Sequence, residues 1–447
     1  MKHARGAASQ RRFRPSRQRG LATLVVVMVL FFIVSLVAAY TNRNLIFEQR
    51  TSANQYRSTQ ALEAAEAGIE WALALLNHQR IDAACQNSTT VTDTSFRQRY
   101  LIADPTTGKL TARLTSLNTE LLPSCVLNGT QWNCSCPVDG APTLTAPTGT
   151  GVAPAFRVRF QQINGAPGTP PSRPGVIKVD VVGCTRLNAA CLSLTGAGVS
   201  SEGRSTMSTL VALTGGPASP PNAALLARGA IDLGGAAAAA YNTGPLGSGV
   251  TLHAGGAINT AGLTLGSTPG TPGSQSVVSL DPALSGISTV GLFAASDRMF
   301  AAVFNMMPDT FKLQPAAVVL DCGGGTCTGA QVRTAISLNP GRPLWLRGNL
   351  DVSTTGDFGT AAEPVLMVIE GNLGFSVAGP TIFGLVYART VDWATSGAGT
   401  VRGAAVAEGQ VSGSGTPTFA RDAAVLTTLR SNTGSMVRVP GSWKDFP

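Results

Sequence analysis

Gly20 divides this chain into two unlike parts. The leader before it carries Lys2, Arg5, Arg11, Arg12, Arg14, Arg17 and Arg19 and no acid. The next twenty residues, Leu21 to Tyr40, are almost wholly apolar, with only Thr23 and Ser35 clearly polar. Twenty helical residues rise about 30 Å, the thickness of a bilayer core. A cleaved secretory signal has a shorter apolar core followed by a small-residue site, and Ala38-Ala39-Tyr40-Thr41 matches such a site only weakly. Hydropathy alone leaves an ordinary uncleaved anchor open.

The residues beyond the span separate these readings. Thr41 to Arg80 contains no Pro and a single Gly, Gly68, so nothing stops the helix as it leaves the membrane. Leu62, Ala65, Ile69, Leu73 and Leu76 recur at steps of three and four, which predicts one apolar face. Glu63 and Glu70 lie off that stripe and Glu66 sits at its edge. A single helix is expected from Leu21 to about Gln79, roughly 90 Å long at 1.5 Å per residue. Its first part would lie in lipid and its last part would pack one face on a soluble domain.

This layout resembles the type IV pilin superfamily, and within it the N-terminus of PilX-type minor pilins. The resemblance rests on Arg17-Gln18-Arg19-Gly20-Leu21, the apolar helix, Glu48-Gln49-Arg50-Thr51-Ser52-Ala53-Asn54-Gln55, and Gln60-Ala61-Leu62-Glu63-Ala64-Ala65-Glu66-Ala67-Gly68-Ile69-Glu70. It covers roughly residues 15–80. It implies a prepilin peptidase cutting after Gly20 on the cytoplasmic side, with Leu21 as the new, N-methylated terminus. It also implies a single-pass inner-membrane protein whose bulk lies in the periplasm and later at the pilus tip. The implied partners are other minor pilins, the major pilin and, for a tip subunit, a large tip adhesin. Pilins usually carry Glu at the fifth mature position, where this chain has Val25. An intramembrane carboxylate costs about 2.5–3.5 kcal/mol by insertion scales, and in pilins it is thought to be offset by the N-terminus of the subunit ahead. A tip subunit has none ahead, and the tip pseudopilin of type II secretion also lacks the Glu. Val25 therefore marks a tip position, or else is simple membrane filler.

Charge and cysteines agree with this topology. Of the net charge of +9, the leader supplies +7, leaving +2 for the rest. The charge holds the leader in the cytoplasm and is not a nucleic-acid footprint. All eight cysteines lie beyond the span, as a disulfide framework in an oxidising compartment requires. Cys184 and Cys191, and Cys322 and Cys327, can close short loops. Cys85, Cys125, Cys134 and Cys136 remain, to pair among themselves in an order the sequence leaves open. Cys134-Ser135-Cys136 is too tight for a zinc site, and only His3, His78 and His253 could add ligands. No metal or cofactor is expected.

The expected class is α+β: residues 21–80 as the long helix (21–40 transmembrane) packed on an antiparallel sheet, followed by a mainly β C-terminal domain. Residues 81–154 are polar and Pro-containing and read as an irregular, disulfide-stapled insertion. Residues 155–214 hold three β-prone runs, 155–160, 176–182 and 205–213. Gly215 to Asn222 reads as a linker. From 223 to 447 a loose motif recurs: Arg228-Gly229-Ala230-Ile231, Gly255-Gly256-Ala257-Ile258, Arg347-Gly348-Asn349-Leu350 and Glu370-Gly371-Asn372-Leu373. Ala388-Arg389-Thr390-Val391 and Glu408-Gly409-Gln410-Val411 are weaker copies, at about twenty residues' spacing. Short β runs with Gly turns at that period favour a β-solenoid or β-helix over a β-sandwich. The stretch 270–340 interrupts the repeat with a helix, Ser296 to Met307, capped by Ser296 or Asp297 and with Phe300, Val303, Phe304 and Met307 on one face.

Enzyme chemistry is not expected. Asp351, Asp357, Glu363, Glu370 and Asp392 could line one side of a solenoid, but they are equally ordinary turn residues. Asp321 to Thr326 is Gly-rich without the end of a P-loop, and Gly348 to Gly359 lacks the spacing of a calcium loop. Two function classes stand. One is a structural minor pilin that primes or caps a fibre. The other is a tip adhesin on a pilin stem, or a minor pseudopilin of a type II secretion system.

Overall fold

The computed structural model describes residues 19–148, 152–163, 174–194, 202–234, 237–245, 247–287 and 295–445, with the backbone alone at 19–21, 295–296 and 324. Most of the leader therefore lies outside the described residues. The chain divides into two units, residues 1–59 and 60–447, and helix α1 (Arg19–Leu76) contributes to both. It ends three residues short of Gln79 because the Asn77 side chain takes the Leu73 carbonyl (3.0 Å) and breaks the ladder.

In the second unit a six-stranded antiparallel sheet forms the head. Its order is β26 (Ser435–Arg438), β9 (Arg204–Thr214), β8 (Val176–Cys184), β7 (Ala155–Gln161), β5 (Ser124–Asn128), β6 (Gln131–Ser135). The three β-prone runs are its centre. Two corrections follow. The segment 81–154 is not merely irregular: β5 and β6 extend the sheet, and α2 (Phe96–Tyr100) buries Phe96 and Tyr100 in the core. Two small antiparallel pairs, β1 (Arg80–Ile81) with β2 (Thr94–Ser95) and β3 (Leu101–Ala103) with β4 (Leu110–Ala112), complete it. The β domain also does not run to residue 447. Ser435 pairs with Thr214 and Met436 with Leu213, so the last strand returns to the head and the β domain is inserted between two neighbouring strands. A four-residue strand with one buried apolar side chain is too faint a pattern to read from sequence.

The inserted part is built of stacked parallel turns. Its long sheet contains β17 (Val318–Thr328), β18 (Leu344–Val352), β19 (Val365–Ile369), β21 (Thr381–Ala388), β23 (Thr400–Ala407), β10 (Leu225–Ala227), β13 (Leu252–Ala254) and β16 (Val277–Val278), in that spatial order. β20 (Leu373–Phe375) pairs with β18, and β25 (Thr418–Arg421) pairs with β23 and β12 (Ala239–Asn242), beyond which lies β15 (Thr264–Ser267). A short sheet runs β14 (Ile258–Asn259), β11 (Ile231–Asp232), β24 (Gln410–Gly413), β22 (Asp392–Thr395). The chain thus enters at β10 in the middle of the stack and works outward to β16. It then crosses to the far end at β17 and returns turn by turn until β23 lies on β10.

The recurrent motif stands at the corner between the two sheets. A Cβ on Gly409 would come within 2.0 Å of the Val391 carbonyl, and one on Gly371 within 2.3 Å of Asn349 Oδ1. Turns can stack that closely there only without a side chain. Leu225, Leu346, Ile369, Val386, Trp393, Val411 and Phe419 fill the space inside the turns. A short helix, α3 (Gly273–Ser276), precedes β16; the crossing segment holds α4 (Pro282–Ser285), α5 (Ala295–Phe304) and α6 (Pro308–Lys312), and α7 (Gly329–Leu338) follows β17. The expected helix to Met307 stops earlier: Asn305 is left-handed (φ 55°), and Met307 caps α6 ahead of Pro308. Ser296's side chain lies outside the described residues, and Asp297 sits in the first turn of α5 rather than at its cap. Phe300, Val303 and Phe304 do share one face. With Phe311 of α6 and Leu426 and Leu429 of α8 (Ala423–Asn432), they cover Trp345 and Tyr387 on the outer face of the long sheet.

Four disulfides use all eight cysteines: Cys85–Cys136, Cys125–Cys134, Cys184–Cys191 and Cys322–Cys327.

Candidate membrane and assembly segment

From Ala22 to Thr59 every side chain of α1 is exposed. Val25 is 52% exposed and Phe31 74%. So much bare apolar surface is stable only against lipid or other apolar helices. No charged residue falls between Ala22 and Tyr40. Hydroxyls are satisfied within the helix: Thr41 Oγ1 donates to the Val37 carbonyl (2.9 Å) and Thr51 Oγ1 to Phe47 (2.9 Å). Gly20 and Leu21 belong to the helical backbone, and Leu21's side chain lies outside the described residues.

The second part of α1 docks through small residues. Ala61, Ala64, Ala65, Ile69, Ala72 and Leu76 are buried, while Leu62 and Leu73 are only half-buried. The contact face is therefore turned by about one residue from the leucine stripe. Close approach explains the shift. A Cβ on Gly183 of β8 would lie 2.2 Å from the Ala61 carbonyl oxygen, and one on Gly68 would lie 2.6 Å from Val181. Helix and sheet meet glycine against alanine, and bulkier leucines are left to the margins. Glu63, Glu66 and Glu70 face solvent, and Glu70 accepts from Arg438 of β26.

Two residues that sequence reasoning missed fasten the end of this helix. Asn77 Nδ2 donates to the Met436 carbonyl (2.8 Å) and its Oδ1 accepts from Met436 N–H (2.7 Å), tying α1 to the last strand. Arg97 donates to the carbonyls of Leu76 (3.0 Å), Asn432 (3.2 Å), Gly434 (2.8 Å) and Gly341 (3.4 Å). It thereby joins the C-termini of α1 and α8 to a loop of the inserted part, where a cation suits the ends of two helix dipoles. Burial lowers its pKa to about 10, with a smaller push from Arg342. A lone Arg in a polar stretch carries no sequence signal for such a role.

The residues considered for catalysis are engaged one by one. Asp351 accepts from Ser376, Asp357 from Thr381 N–H, Glu363 from Gln98, Glu370 from Trp345, and Asp392 from Ser412. Each pins one segment to another. Among the described residues no three metal-ligating side chains gather. Instead, residues at one register level, within β17 and β18 and just past the ends of β19, β21, β23 and β10, form a column that alternates in sign from turn to turn: Asp321, Arg347, Glu370, Arg389, Glu408, Arg228. Its centre is the half-buried Arg389, which pairs with the buried Glu408 (2.8 Å) and with Asp297 of α5 (2.7 Å). Burial nonetheless raises the Glu408 carboxyl to about 7, against the lowering effect of Arg389.

The family model for the PilX N-terminal segment matches residues 19–70. Residues 19–70 are a type IV minor pilin N-terminus. The exposed apolar helix fits a membrane-anchored pilin. Among solved structures, the chain is similar to the competence-associated pilin ComZ from Thermus thermophilus. Identity is 11%, over 87% of this chain and 97% of that one, with a TM-score of 0.21. Among curated proteins none matches.

Proposed function

We propose that this pilin is a minor subunit of type IV pilus assembly, processed after Gly20, that sits in the initiating or tip complex and presents its inserted domain outward. The observation that carries this reading is the insertion between β9 and β26. A body of that size carried on every head would obstruct a repeating shaft, whereas a single terminal subunit meets no such limit. Val25 supports the same place, since an apolar side chain at that helical position has nothing to offer a neighbour's ammonium. The parallel register of the inserted turns supports a β-solenoid, a scaffold for extended display surfaces.

Deletion of the gene is expected to lower fibre number without altering the shaft, and immunogold labelling should mark fibre ends. Label along the whole shaft, or an unchanged fibre count, would overturn the assignment. Val25→Glu should not improve incorporation, because no terminus lies ahead to pair with it. Intact-mass analysis of the membrane form should show loss of residues 1–20 and a methyl group on Leu21.

A further inference from the structure

One end of the inserted stack finishes on an incomplete turn. β16 lies on β13, and the chain continues over that turn as far as Leu280 N–H to the Gly256 carbonyl (2.9 Å) and Asp281 N–H to Ala254 (3.1 Å). Pro282 then opens α4 with Asp281 as its N-cap, and the chain turns away. Proline has no N–H to continue a ladder. The other half of the turn beneath, β14 and β15, therefore carries no strand on its outer side among the described residues. Asn259, Thr264 and Leu265 are exposed there.

Open strand edges invite pairing, and proteins guard them with charge, bulges or covering elements. The opposite end of this stack is guarded. β17 carries Asp321, paired with Arg347 (3.5 Å), and a register shift between Asp321 and Thr326 that the Cys322–Cys327 bond closes off. Among the described residues, β14 and β15 at the unfinished end have no such guard; its one ion pair, His253 with Asp281 (2.6 Å), lies on the half that β16 already covers. From Leu233 to Leu280 there is not one Asp, Glu, Lys or Arg. Ala261, Gly262, Thr264, Gly266 and Ser267 are small enough for another backbone to approach closely.

We propose that Ile258–Ser267 is a docking edge for an extended, uncharged segment of a partner protein, which adds in parallel and completes the half-turn that Pro282 cuts short. The parallel sense follows from the ladders already present, since β14 and β15 both run parallel to the strands beneath them. The partner segment is uncharged because a charged side chain on this edge would lose hydration without finding a counter-charge on β14 or β15, and Asp232 on the strand beneath is already taken by Asn259 (3.1 Å). A second copy fits less well. Meeting edge to edge about a two-fold axis it would pair antiparallel, and meeting head to tail it would bring the guarded β17 end against the open one. The edge is independent of the pilin reading: it could bind in a protein that sits elsewhere in the fibre.

The test uses the full chain in detergent and a synthetic peptide copying residues 257–268, an uncharged strand pair that would stack as the next turn. Saturating peptide is expected to slow amide exchange across Ile258–Ser267 and leave β13 unchanged. Leu265→Lys should weaken peptide binding at least about tenfold, near 1.4 kcal/mol, with circular dichroism and melting temperature preserved. Should that variant not fold, Asn259→Lys on β14 tests the same edge. Absence of protection at millimolar peptide, or equal binding by the lysine variants, would overturn the proposal. Protection in the free chain that disappears on dilution would also overturn it, assigning the edge to a second copy.

Discussion

At Glu408 burial outweighs an ion pair. The carboxyl is 4% exposed and sits between Arg389 and Tyr387, with Asp297 of α5 beyond Arg389 and Arg228 on the next turn. Its folded pKa of about 7 lies above the ordinary 4.5. The folded state therefore binds the proton more tightly than the unfolded state. That contribution is full below pH 4.5 and is lost as pH rises through about 7, an effect on the order of 3 kcal/mol. Denaturant melts between pH 4.5 and 8 should show wild-type stability declining across this window and a flatter profile for Glu408→Gln. Parallel profiles would place the proton elsewhere. Gly183 is the steric counterpart. Gly183→Ala would press a methyl onto the Ala61 carbonyl, 2.2 Å away. The expected loss is about 1–3 kcal/mol, read as a lower melting temperature of the head. Neither residue is legible in the sequence as more than a strand glycine or a motif acid, because each acquires its role from a neighbour far along the chain.

Elements differ in how openly the sequence declares them. The helix from Leu21 onward declares itself through length and hydropathy, β7 and β8 through alternation and β9 as a β-prone run, because each satisfies its pattern locally. β5, β6 and β26 do not. They are short, and their apolar positions, such as Val126 and Met436, matter only once β7 and β9 stand beside them. The repeat of the inserted turns is visible through its corner glycines, but the stacking order is hidden. No local pattern says that the turn holding Leu225 lies on the turn holding Ala405. The disulfides reinforce the weakly patterned elements. Cys85–Cys136 ties the end of the helix region to β6 across 51 residues. A loop of that length predicts about 4 kcal/mol of stabilisation in the chain-entropy model. Cys85→Ala with Cys136→Ala should lower unfolding free energy by 2–4 kcal/mol, roughly. Cys322→Ala with Cys327→Ala, which opens only a short loop at the far end of the stack, should cost less and leave the head unaffected. Unfolding followed by Trp71 and Trp132 fluorescence would tell the two pairs apart.

For the whole molecule, the decisive fact is that the inserted domain leaves and rejoins the head at one place. Thr214 and Ser435 are paired antiparallel neighbours, and a Cβ on Gly434 would lie 2.2 Å from the Thr214 carbonyl. Farther out, Arg421 Nε donates to the Pro221 carbonyl (3.0 Å), so the two connections stay together beyond the head. Removing residues 217–433 and joining Gly216 to Gly434 would leave β9 and β26 as a hairpin with a three-glycine loop, a length hairpins commonly use. The head should then fold without its passenger. Some stability must be lost, because Arg97 would keep its bonds to Leu76 and Gly434 but lose those to Asn432 and Gly341. Arg97→Lys in the full chain, which cannot fork among four carbonyls, should weaken the same junction. The expected outcome is a membrane-inserted short protein with native head disulfides Cys85–Cys136, Cys125–Cys134 and Cys184–Cys191. If the insertion serves display, fibre initiation should persist while any contact made through Ile258–Ser267 is abolished. A short form that misfolds would show instead that the stack is an integral part of the head, and that the strand closing it depends on the turns between.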